Sequence, residues 1–421
     1  MKVLVVGSGA REHALAWKLA ASPQVEELYA APGNPGMARV ADCVPIRADA
    51  IVELADFAES LKVDLTVVGP ELPLVLGIRD EFERRGLRLF GPTRRAAEVE
   101  GSKAFTKRLC QNYGIPTAPG EVVSSRQQAA EVASKLGLPV VFKADGLAAG
   151  KGVLVCRTAE ELDEALERFF ERREFGAAGE RVVVEACLSG EELSFLVITD
   201  GKSVWPLPAA RDYKRLRDGD QGPNTGGMGA FSPAPLSREL ASTILSQVIY
   251  PALKALAHEG RWYQGVLYAG LMLTADGPKL LEFNCRLGDP EAQVILPRLG
   301  GDIAPALLAV ARGEMGNPEI TVERQASACV VLASRGYPQA PETGHPISGV
   351  EEAEASGALV FHAGTAMADG QLVTAGGRVL SVVGVAGSLR EAVDKAYRAA
   401  EQVRFEGVHF RRDIGRGFAD G

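Results

Sequence analysis

Five polar residues that can bind metal or phosphate fall within one short stretch, residues 279–291, with the sequence K-L-L-E-F-N-C-R-L-G-D-P-E. Because side chains alternate along a strand, Glu282, Asn284 and Arg286 share one face. The other face takes the apolar residues between them: Leu281, Phe283 and Cys285. A carboxylate and an amide oxygen two residues apart are suitable ligands for a hard cation such as Mg²⁺, held together with phosphate oxygens. Arg286 adds a planar donor for a carboxylate or phosphate. The alternative is an antiparallel strand with an ordinary solvated face, but the following turn adds Asp289 and Glu291, which favours a metal-assisted phosphate site.

The opening segment G-S-G-A-R-E-H follows a buried strand and begins a helix. It differs from a dinucleotide-binding fingerprint because Glu12 replaces the third glycine and no acid ends the second strand. This argues against NAD or FAD. The helix N-terminus can still bind one phosphate, with Arg11 in its first turn. For His13 a ligand contact and a packing or capping role remain equally open.

A second glycine-rich segment, G-L-A-A-G-K-G at 146–152, lies between two predicted strands. A P-loop would need a different spacing and a helix after it, so the pattern favours a β-loop-β cover over phosphates. A glycine-rich surface hairpin is the alternative. Lys143 lies in the apolar strand V-V-F-K-A, where a buried lysine requires an anion. Lys103 opens the helix after Gly101-Ser102 and is either a phosphate contact or a solvated charge.

Two further segments carry clustered charge. In V-V-V-E-A-C-L-S-G-E-E-L, Glu185 and the backbone of 186–188 are candidates for an adenine edge and Glu192 for a ribose diol, although acids near a turn are usually solvated. Residues 209–229 are too long and varied for a simple connector. They combine Asp212 with four cations and several glycines, which favours an acid- and phosphate-binding segment over a disordered linker.

These residues must be positioned by a mixture of strands and helices. Residues 1–100 alternate strand and helix, with strands predicted at 3–6, 28–30, 65–68 and 87–90, and Asp49 is predicted to cap a helix. This pattern predicts an open parallel sheet with ligands at the strand C-termini. Further predicted helices cover 103–113, 159–172 and 236–258, and strands are predicted at 140–143, 153–156 and 182–185. The last ~95 residues predict a small α/β unit, with strands near 328–333, 358–362 and 379–384.

Composition narrows the functional class. The chain has 421 residues, 46% hydrophobic and 24% charged, and its net charge of −8 argues against general affinity for nucleic acid or anionic membranes. No uninterrupted apolar run approaches the roughly 20 residues that span a bilayer. The six cysteines include no C-x-x-C pair, so zinc and disulfides are not expected and a reducing cytoplasm fits best.

Taken in order along the chain, these motifs resemble those of the ATP-grasp superfamily, and within it the glycinamide ribonucleotide synthetase (phosphoribosylamine–glycine ligase) family. The resemblance spans essentially the whole chain and also includes A-P-G-N-P-G, V-G-P-E-L-P-L, R-D-Y-K-R, P-N-T-G-G-M-G and T-A-G-G-R-V-L. Leu287 and Tyr213 depart from the family's usual phenylalanine and histidine. The strand before E-x-N lacks the metal carboxylate of many ATP-grasp enzymes, so the number of metal ligands stays open.

The resemblance implies a fold and a reaction. It implies an α/β and α+β multidomain chain: a Rossmann-like N-terminal domain (1–101), an ATP-grasp domain (102–325) with a mobile β-rich lid at about 122–187, and a C-terminal α/β domain (326–421). It also implies ligation of glycine to 5-phosphoribosylamine, with ATP converted to ADP and phosphate, through glycyl phosphate in purine biosynthesis. A cytoplasmic monomer or weak homo-oligomer is expected, acting on small molecules with Mg²⁺ or Mn²⁺ and without nucleic acid or membrane.

The resemblance further implies site residues in four groups. The metal ligands are Glu282 and Asn284. The catalytic residues are Arg286, Asp212 and Asp289, of which either acid is a candidate for glycine's ammonium group. ATP is assigned to Lys103, Lys143, Gly150, Lys151, Gly152, Glu185, Leu188 and Glu192. The other substrates are assigned to Gly9, Arg11, Asn34, Gly36, Gly69, Glu71, Lys214, Asn224, Thr225 and Gly226.

Three other functions remain as alternatives. One is a different ATP-grasp ligase or carboxylase, such as a biotin carboxylase-like enzyme that uses bicarbonate. Another is a nucleotide-binding oxidoreductase built on residues 1–100, against which the broken fingerprint argues. A non-catalytic adaptor is the third, and buried Lys143 argues against it because an unpaired buried charge is costly without a ligand.

Overall fold

The computed structural model describes residues 1–147 and 152–419. Its N-terminal part is an open sheet with helices around it. The elements are β1 (Lys2–Gly7), α1 (Ala10–Ala20), β2 (Glu27–Pro32), β3 (Asp42–Cys43), α2 (Ile51–Ser60), β4 (Leu65–Val68), α3 (Glu71–Leu76), α4 (Ile78–Arg84), β5 (Leu89–Phe90) and α5 (Arg94–Gly101). The strand order is β3-β2-β1-β4-β5 and every pair is parallel. The predicted parallel sheet is therefore confirmed, and its strand C-termini face the cleft described below.

One local prediction in this part is wrong. Helix α2 begins after Ala50, which makes no side-chain cap, and Asp49 does not cap it. The Asp49 carboxylate instead accepts two hydrogen bonds from the Arg47 guanidinium, at 2.9 and 2.7 Å. A nearby arginine thus takes the acceptor that a helix N-terminus would otherwise use.

A small four-stranded unit follows. Its elements are α6 (Lys103–Tyr113), β6 (Gly120–Val123), α7 (Arg126–Leu136), β7 (Val140–Ala144), β8 (Val153–Cys156), α8 (Ala159–Leu166) and β9 (Val182–Ala186). The antiparallel order is β6-β9-β7-β8. These strands and α7–α8 bury a separate apolar core that includes Val132, Phe142, Phe169 and Val184. A unit with its own core can shift relative to its neighbours without breaking theirs.

The central part carries the long strands of the cleft. Its elements are β10 (Glu191–Thr199), β11 (Val204–Pro206), β12 (Arg211–Asp212), β13 (Arg215–Arg217), β14 (Gln221–Asn224), β15 (Gly229–Ser232), α9 (Arg238–Ile244), α10 (Tyr250–His258), β16 (Gly265–Thr274), β17 (Gly277–Asn284), α11 (Glu291–Ile295), β18 (Leu299–Gly300), α12 (Ile303–Arg312) and β19 (Thr321–Val322). An antiparallel sheet has the order β11-β10-β16-β17. The predicted polar loop at 211–229 contains three short strands, and β13 and β14 form a hairpin.

The C-terminal part shares a sheet with the central part. Its elements are β20 (Ala326–Ala333), α13 (Val350–Ala355), β21 (Leu359–His362), β22 (Thr365–Ala368), β23 (Gln371–Thr374), β24 (Arg378–Ala386) and α14 (Leu389–Ala400). The order β12-β15-β20-β24-β21 joins two short strands of the central part to three strands of the C-terminal part. The C-terminal part is therefore attached directly to the segment that lines the cleft.

One helical run, Arg238–His258, is long and apolar enough to cross a membrane by length and composition alone. The sequence predicts a helix at 236–258 but no membrane span, because charged residues interrupt its apolar run. Core helices pass the same test, and Ile244, Val248, Ala252 and Leu256 of this run are buried in the main core. A single run of this kind is weak evidence for a membrane span.

Candidate active site

A cleft of about 900 Å³ lies where the N-terminal, four-stranded, central and C-terminal parts meet. Its walls bring together most residues assigned from sequence: Arg11, Glu71, Lys103, Lys143, Gly152, Glu185, Leu188, Glu192, Asp212, Lys214, Asn224, Thr225, Gly226, Glu282, Asn284, Arg286 and Asp289. These residues span 279 positions of sequence, from Arg11 to Asp289, so only the folded chain can form the site. Gly150 and Lys151 lie outside the described residues.

Glu282 and Asn284 open onto this cleft from the end of β17, opposite Gly270 and Tyr268 of β16. Neither side chain makes a hydrogen bond or ion pair with any residue that the structure describes. The burial of Glu282 disfavours its charged form, but nearby cations, first Lys214 and then Lys103, outweigh this and lower its pKa. An ionised carboxylate beside an uncommitted amide oxygen fits a hard divalent cation.

The strand geometry differs from the predicted alternation at two residues. The pairing of β16 with β17 shifts between Gly270 and Leu271, a bulge that leaves Leu281 half-buried at the cleft instead of on the opposite face. The strand also ends at Asn284, so Arg286 lies in the bend beyond it and not on the strand face. Within residues 1–147 and 152–419 no cluster of three or more His, Cys, Asp or Glu is arranged to hold a metal.

Arg286 is held by two acids from the N-terminal part. Its Nε donates to Glu71 at 3.1 Å, its Nη2 donates to Glu100 at 2.7 Å, and its Nη1 donates to the Leu287 carbonyl at 3.1 Å. Burial alone would raise the pKa of Glu71, but Arg286 and Arg11 lower it to about 2. A guanidinium has five N–H groups, so two remain for a ligand.

Asp212 and Lys214 form a second charged group across the cleft. Lys214 Nζ lies 3.1 Å from the Glu192 carboxylate and 3.7 Å from that of Asp212. Burial raises the pKa of Asp212 to about 7 although Lys214 opposes the shift. Asp289 has closer partners, because Gln293 donates to it at 2.6 Å and Arg378 lies 3.2 Å away. Asp212 is therefore the acid that depends more on an added cation.

Lys143 and Glu185 meet on neighbouring strands of the four-stranded unit. Lys143 Nζ lies 2.5 Å from one Glu185 oxygen and donates to the Leu281 carbonyl at 2.9 Å. Lys107 lies 2.5 Å from the other Glu185 oxygen. The buried lysine in V-V-F-K-A therefore has an internal anion, while one side of it still faces the cleft.

Lys103 occupies the first turn of α6, one turn before Lys107. Its side chain makes no hydrogen bond or ion pair with the described residues. Gly152 and Leu188 line the same region of the cleft. Lys103 therefore offers the cleft a positive charge that has no hydrogen-bond or ion-pair partner among the described residues.

The N-terminal loops are organised differently. Asn34 is buried, and its amide donates to the carbonyls of Ser8 and His362, both at 2.9 Å, and accepts from the Met37 N–H at 2.9 Å. Gly9 donates its N–H to Glu12 at 2.6 Å. A Cβ on Gly36 or Gly69 would lie 2.3 Å or 2.0 Å from the side chains of His13 and Glu12, so both positions require glycine. Gly9, Asn34, Gly36 and Gly69 do not line the cleft, and their assignment to substrate stays a prediction.

Several cleft residues were not found by sequence reasoning. Tyr337 and Arg378 reach in from the C-terminal part: the Tyr337 hydroxyl accepts from the Gly226 N–H at 2.9 Å, and Arg378 donates to the Gly226 and Asp289 carbonyls, both at 2.7 Å. Lys107 and Glu100 were also missed. Arg378 belongs to the recognised T-A-G-G-R-V-L motif, which was the available signal.

Comparison with known proteins gives a consistent family. Residues 1–100, 101–292 and 327–417 match the models for the N, ATP-grasp (A) and C domains of phosphoribosylglycinamide synthetase. A phosphoribosylamine–glycine ligase of Halalkalibacterium halodurans is 49% identical over 99% of this chain and 96% of the relative. One of Caldanaerobacter subterraneus is 46% identical over 99% of this chain and the whole relative.

Solved structures agree with this. A Thermotoga maritima phosphoribosylamine–glycine ligase has a TM-score of 0.85 and 38% identity, covering 98% of this chain and all of the other. The biotin carboxylase domain of a Hydrogenobacter thermophilus 2-oxoglutarate carboxylase has a TM-score of 0.71 at 20% identity, covering 97% and 91%. The second likeness supports the ATP-grasp fold alone.

Proposed function

The chain belongs to the phosphoribosylglycinamide synthetase family, and we propose that it joins glycine to 5-phosphoribosylamine while converting ATP to ADP and phosphate. It is a carbon–nitrogen ligase of purine biosynthesis, and its product is glycinamide ribonucleotide. The observation that carries this proposal is the 46–49% identity to phosphoribosylamine–glycine ligases over 99% of the chain. The cleft, which gathers the matched motifs, supports it.

The chemistry follows from the weakness of a carboxylate as an electrophile. A glycine carboxylate oxygen attacks the γ-phosphorus of ATP, which forms glycyl phosphate and releases ADP. The amine of 5-phosphoribosylamine then attacks the acyl carbon and releases phosphate. Both steps depend on positioning and on neutralising phosphate charge, so no Ser or Cys nucleophile is required.

The ATP side lies on the four-stranded unit. Lys103 and Lys143 offset phosphate charge, with Lys151 as the third predicted cation. The 146–152 segment, including Gly150 and Gly152, covers the phosphates and excludes water. The remaining ATP contacts are those predicted from sequence: Glu185, Leu188 and Glu192. The internal ion pair of Glu185 fixes Lys143 next to the cleft and supports this arrangement.

Enzymes with the ATP-grasp fold use ATP with divalent metal ions, and Glu282 and Asn284 are the residues that would hold Mg²⁺ or Mn²⁺ here. Their oxygens have no partner among the described residues, and an acid–amide pair is a hard donor set. When bound, the ion neutralises charge on the phosphate oxygens. The chain itself keeps Glu282 ionised through the surrounding lysines.

Glycine is held between Arg286 and Asp212. The two N–H groups of Arg286 that remain after its contacts with Glu71, Glu100 and Leu287 bind the carboxylate or acyl phosphate. Asp212 takes the ammonium group in preference to Asp289, whose oxygens already contact Gln293 and Arg378. The charged groups of glycine would thus compensate Arg286 and Asp212 for the water that burial removes from them.

The sugar phosphate lies on the N-terminal side of the cleft. Arg11 and Glu71 contact it directly, and the loops of Gly9, Asn34, Gly36 and Gly69 shape the surface behind them. Lys214, Asn224, Thr225 and Gly226 complete the substrate wall. We also propose the domain limits 1–101, 102–325 (with a lid at about 122–187) and 326–421, and a cytoplasmic monomer or weak homo-oligomer.

The test uses glycine labelled with ¹⁸O in its carboxylate, together with ATP, Mg²⁺ and 5-phosphoribosylamine. One labelled oxygen should appear in the released phosphate, because the attacking oxygen leaves with phosphorus. ADP release should require glycine. If ADP release required bicarbonate instead, the carboxylase alternative would replace this proposal; unlabelled phosphate would remove the glycyl phosphate step.

A further inference from the structure

Arg411 is among the largest fully buried side chains, with 1% of it exposed. Its Nε and Nη2 donate to the two carboxylate oxygens of Asp413, at 2.8 and 2.7 Å. Its Nη1 donates to the Asp220 carboxylate at 2.8 Å and to the Arg215 carbonyl at 3.0 Å. The guanidinium carbon lies 4.8 Å from the centre of the Tyr213 ring. A buried guanidinium needs such partners, and two of these four hydrogen bonds go to residues more than 190 positions earlier in the chain.

The C-terminal strap, residues 409–415, contacts the cleft hairpin, residues 213–225, in several more places. The further hydrogen bonds join Gly219 N–H to Asp413 at 2.9 Å, Arg412 N–H to Asp218 at 2.8 Å, Gly415 N–H to the Tyr213 hydroxyl at 3.0 Å, and His409 to the Leu216 carbonyl at 3.0 Å. Both exposed acids at the hairpin tip, Asp218 and Asp220, therefore have their partners on the strap. Arg411 is the only strap residue that contacts both the tip and the base of the described hairpin.

The base of the hairpin carries two charged residues of the cleft. Tyr213 faces the strap, and Asp212 and Lys214 on either side of it line the cleft. Lys214 also ties the two arms together, because its carbonyl accepts from the N–H and the hydroxyl of Thr225, at 2.7 and 2.8 Å. A shift of the Tyr213 ring would therefore move both charges. The four-stranded unit, which carries the lysines of the ATP side, makes no contact with Arg411 within the described residues.

We propose that Arg411 is a positioning residue for the glycine side of the cleft, acting through the hairpin and through Tyr213. This inference rests on the proposed function, since it assigns glycine to Asp212. Loss of the guanidinium removes the buried link between the tip and the base of the hairpin, which loosens the hairpin and displaces Asp212 and Lys214. ATP binding changes less, because Lys103 and Lys143 lie on the four-stranded unit; of the proposed ATP contacts, Glu192 shares an ion pair with Lys214.

The experiment compares Arg411→Met, Arg411→Lys and Arg412→Met in the full chain. Arg412 is the matched control, because it is adjacent but 61% exposed and its side chain pairs with Glu401, just after α14, and not with the hairpin. Arg411→Met should raise the glycine KM about tenfold or more with the ATP KM within about twofold, and Arg411→Lys should restore part of it. Arg412→Met should match the parent enzyme.

Asp220→Asn is the second variant, used in place of Arg411→Met if that variant does not fold. Asp220 is 66% exposed, and its replacement should raise the glycine KM about threefold.

Amide hydrogen exchange without substrates separates this inference from the proposed function. Exchange in 213–225 should become faster in Arg411→Met, or in Asp220→Asn, and stay unchanged in β7–β9. Unchanged exchange in the hairpin, or equal rises in the glycine and ATP KM, would overturn the positioning role. A parent enzyme with no glycine-dependent ADP release would overturn the proposed function, and the exchange result would still decide the role of Arg411 in fixing the hairpin.

Discussion

Two regions of this chain carry recognisable binding motifs, and they treat their polar atoms in opposite ways. In the N-terminal loops, the polar atoms of Gly9, Asn34 and Glu12 form hydrogen bonds with other groups of the protein. At the end of β17, Glu282 and Asn284 leave their oxygens without a partner among the described residues. Unpaired polar atoms on a cleft wall are costly unless a ligand satisfies them, whereas paired ones stabilise the fold. Uncommitted polar atoms on a cleft wall therefore mark the residues that most need a ligand.

The sharpest way to break this comparison is Glu282→Ala. We expect glycine-dependent ADP release to fall about a thousandfold, because the variant loses a charged ligand where phosphate charge must be neutralised. Thermal unfolding should be nearly unchanged, since the carboxylate has no protein partner to lose. Steady-state kinetics and calorimetry measure the two quantities.

Asp276→Ala is the matched control for Glu282→Ala. Asp276 lies at the turn of the same β16–β17 hairpin, and its side chain is 82% exposed. It should leave turnover unchanged. Near-normal turnover in Glu282→Ala would remove this residue from the metal site, and a large loss of stability would mean that its carboxylate has a structural role.

Lys103 and Lys107, one turn apart on α6, offer the same comparison between an unpaired and a paired polar group. The Lys103 side chain makes no hydrogen bond or ion pair with the described residues, whereas Lys107 is 4% exposed and contacts Glu185, Thr117 and the Ala118 carbonyl. Lys107→Met should cost about 3 kcal/mol of unfolding free energy, because it removes one partner of a buried ion pair. Lys103→Met should lower kcat/KM for ATP about tenfold or more with no loss of stability. The comparison fails if both variants lose the same property.

Much of the fold could be predicted because local signals agree with it. The bounds predicted for β4, β8 and α6 match the structure, and α6 shows why: Ser102 caps its start by accepting from the Phe105 N–H, and Gly114 ends it with a positive φ of 67°. The sheet that joins β12 and β15 to β20 was not predicted. Its pairing connects segments about 100 residues apart, and no local pattern specifies such a partner.

The residues of the candidate site also divide into those that local sequence patterns predict and those that depend on long-range contacts. Glu282 and Asn284 could be found because their spacing on one strand already implies a shared ligand. Lys107 and Glu100 could not, because their roles depend on contacts with Glu185 and Arg286 that only the folded chain creates. Arg378 was marked by its motif, but its contact with Asp289 was not. Sequence spacing reports which polar residues share an element, but not which of them are already paired.

Asn34→Ala tests the paired side of the comparison. The variant removes three hydrogen bonds at a buried position, so we expect a loss of about 2 kcal/mol of unfolding free energy. The KM for 5-phosphoribosylamine should stay within about twofold at a temperature where the variant is folded. A much higher KM with normal stability would instead support the direct substrate contact that the sequence predicts.

The last expected effect concerns pH and the buried histidines behind the same loops. His13 Nδ1 accepts a hydrogen bond from the His362 N–H at 2.8 Å, so protonating that nitrogen would break the bond. Burial, with the charge of Arg39, lowers the pKa of His13 to about 3 and that of His362 to about 4, while His362 additionally lowers that of His13. In the unfolded chain both titrate near 6.5, so the unfolded state binds more protons below that pH and stability falls on acidification. Between pH 7 and pH 5 this contribution should be about 2 kcal/mol for each of the two histidines. Because carboxylates also titrate, the measurement is the difference in unfolding free energy between the two pH values.

This difference should be smaller in a His13→Gln/His362→Gln double variant than in the parent chain, and His258→Gln, at an exposed position, should behave like the parent. Equal pH dependence in all three proteins would show that these rings accept protons in the folded state, and the N-terminal loops would then not be the closed, internally bonded region that the comparison requires.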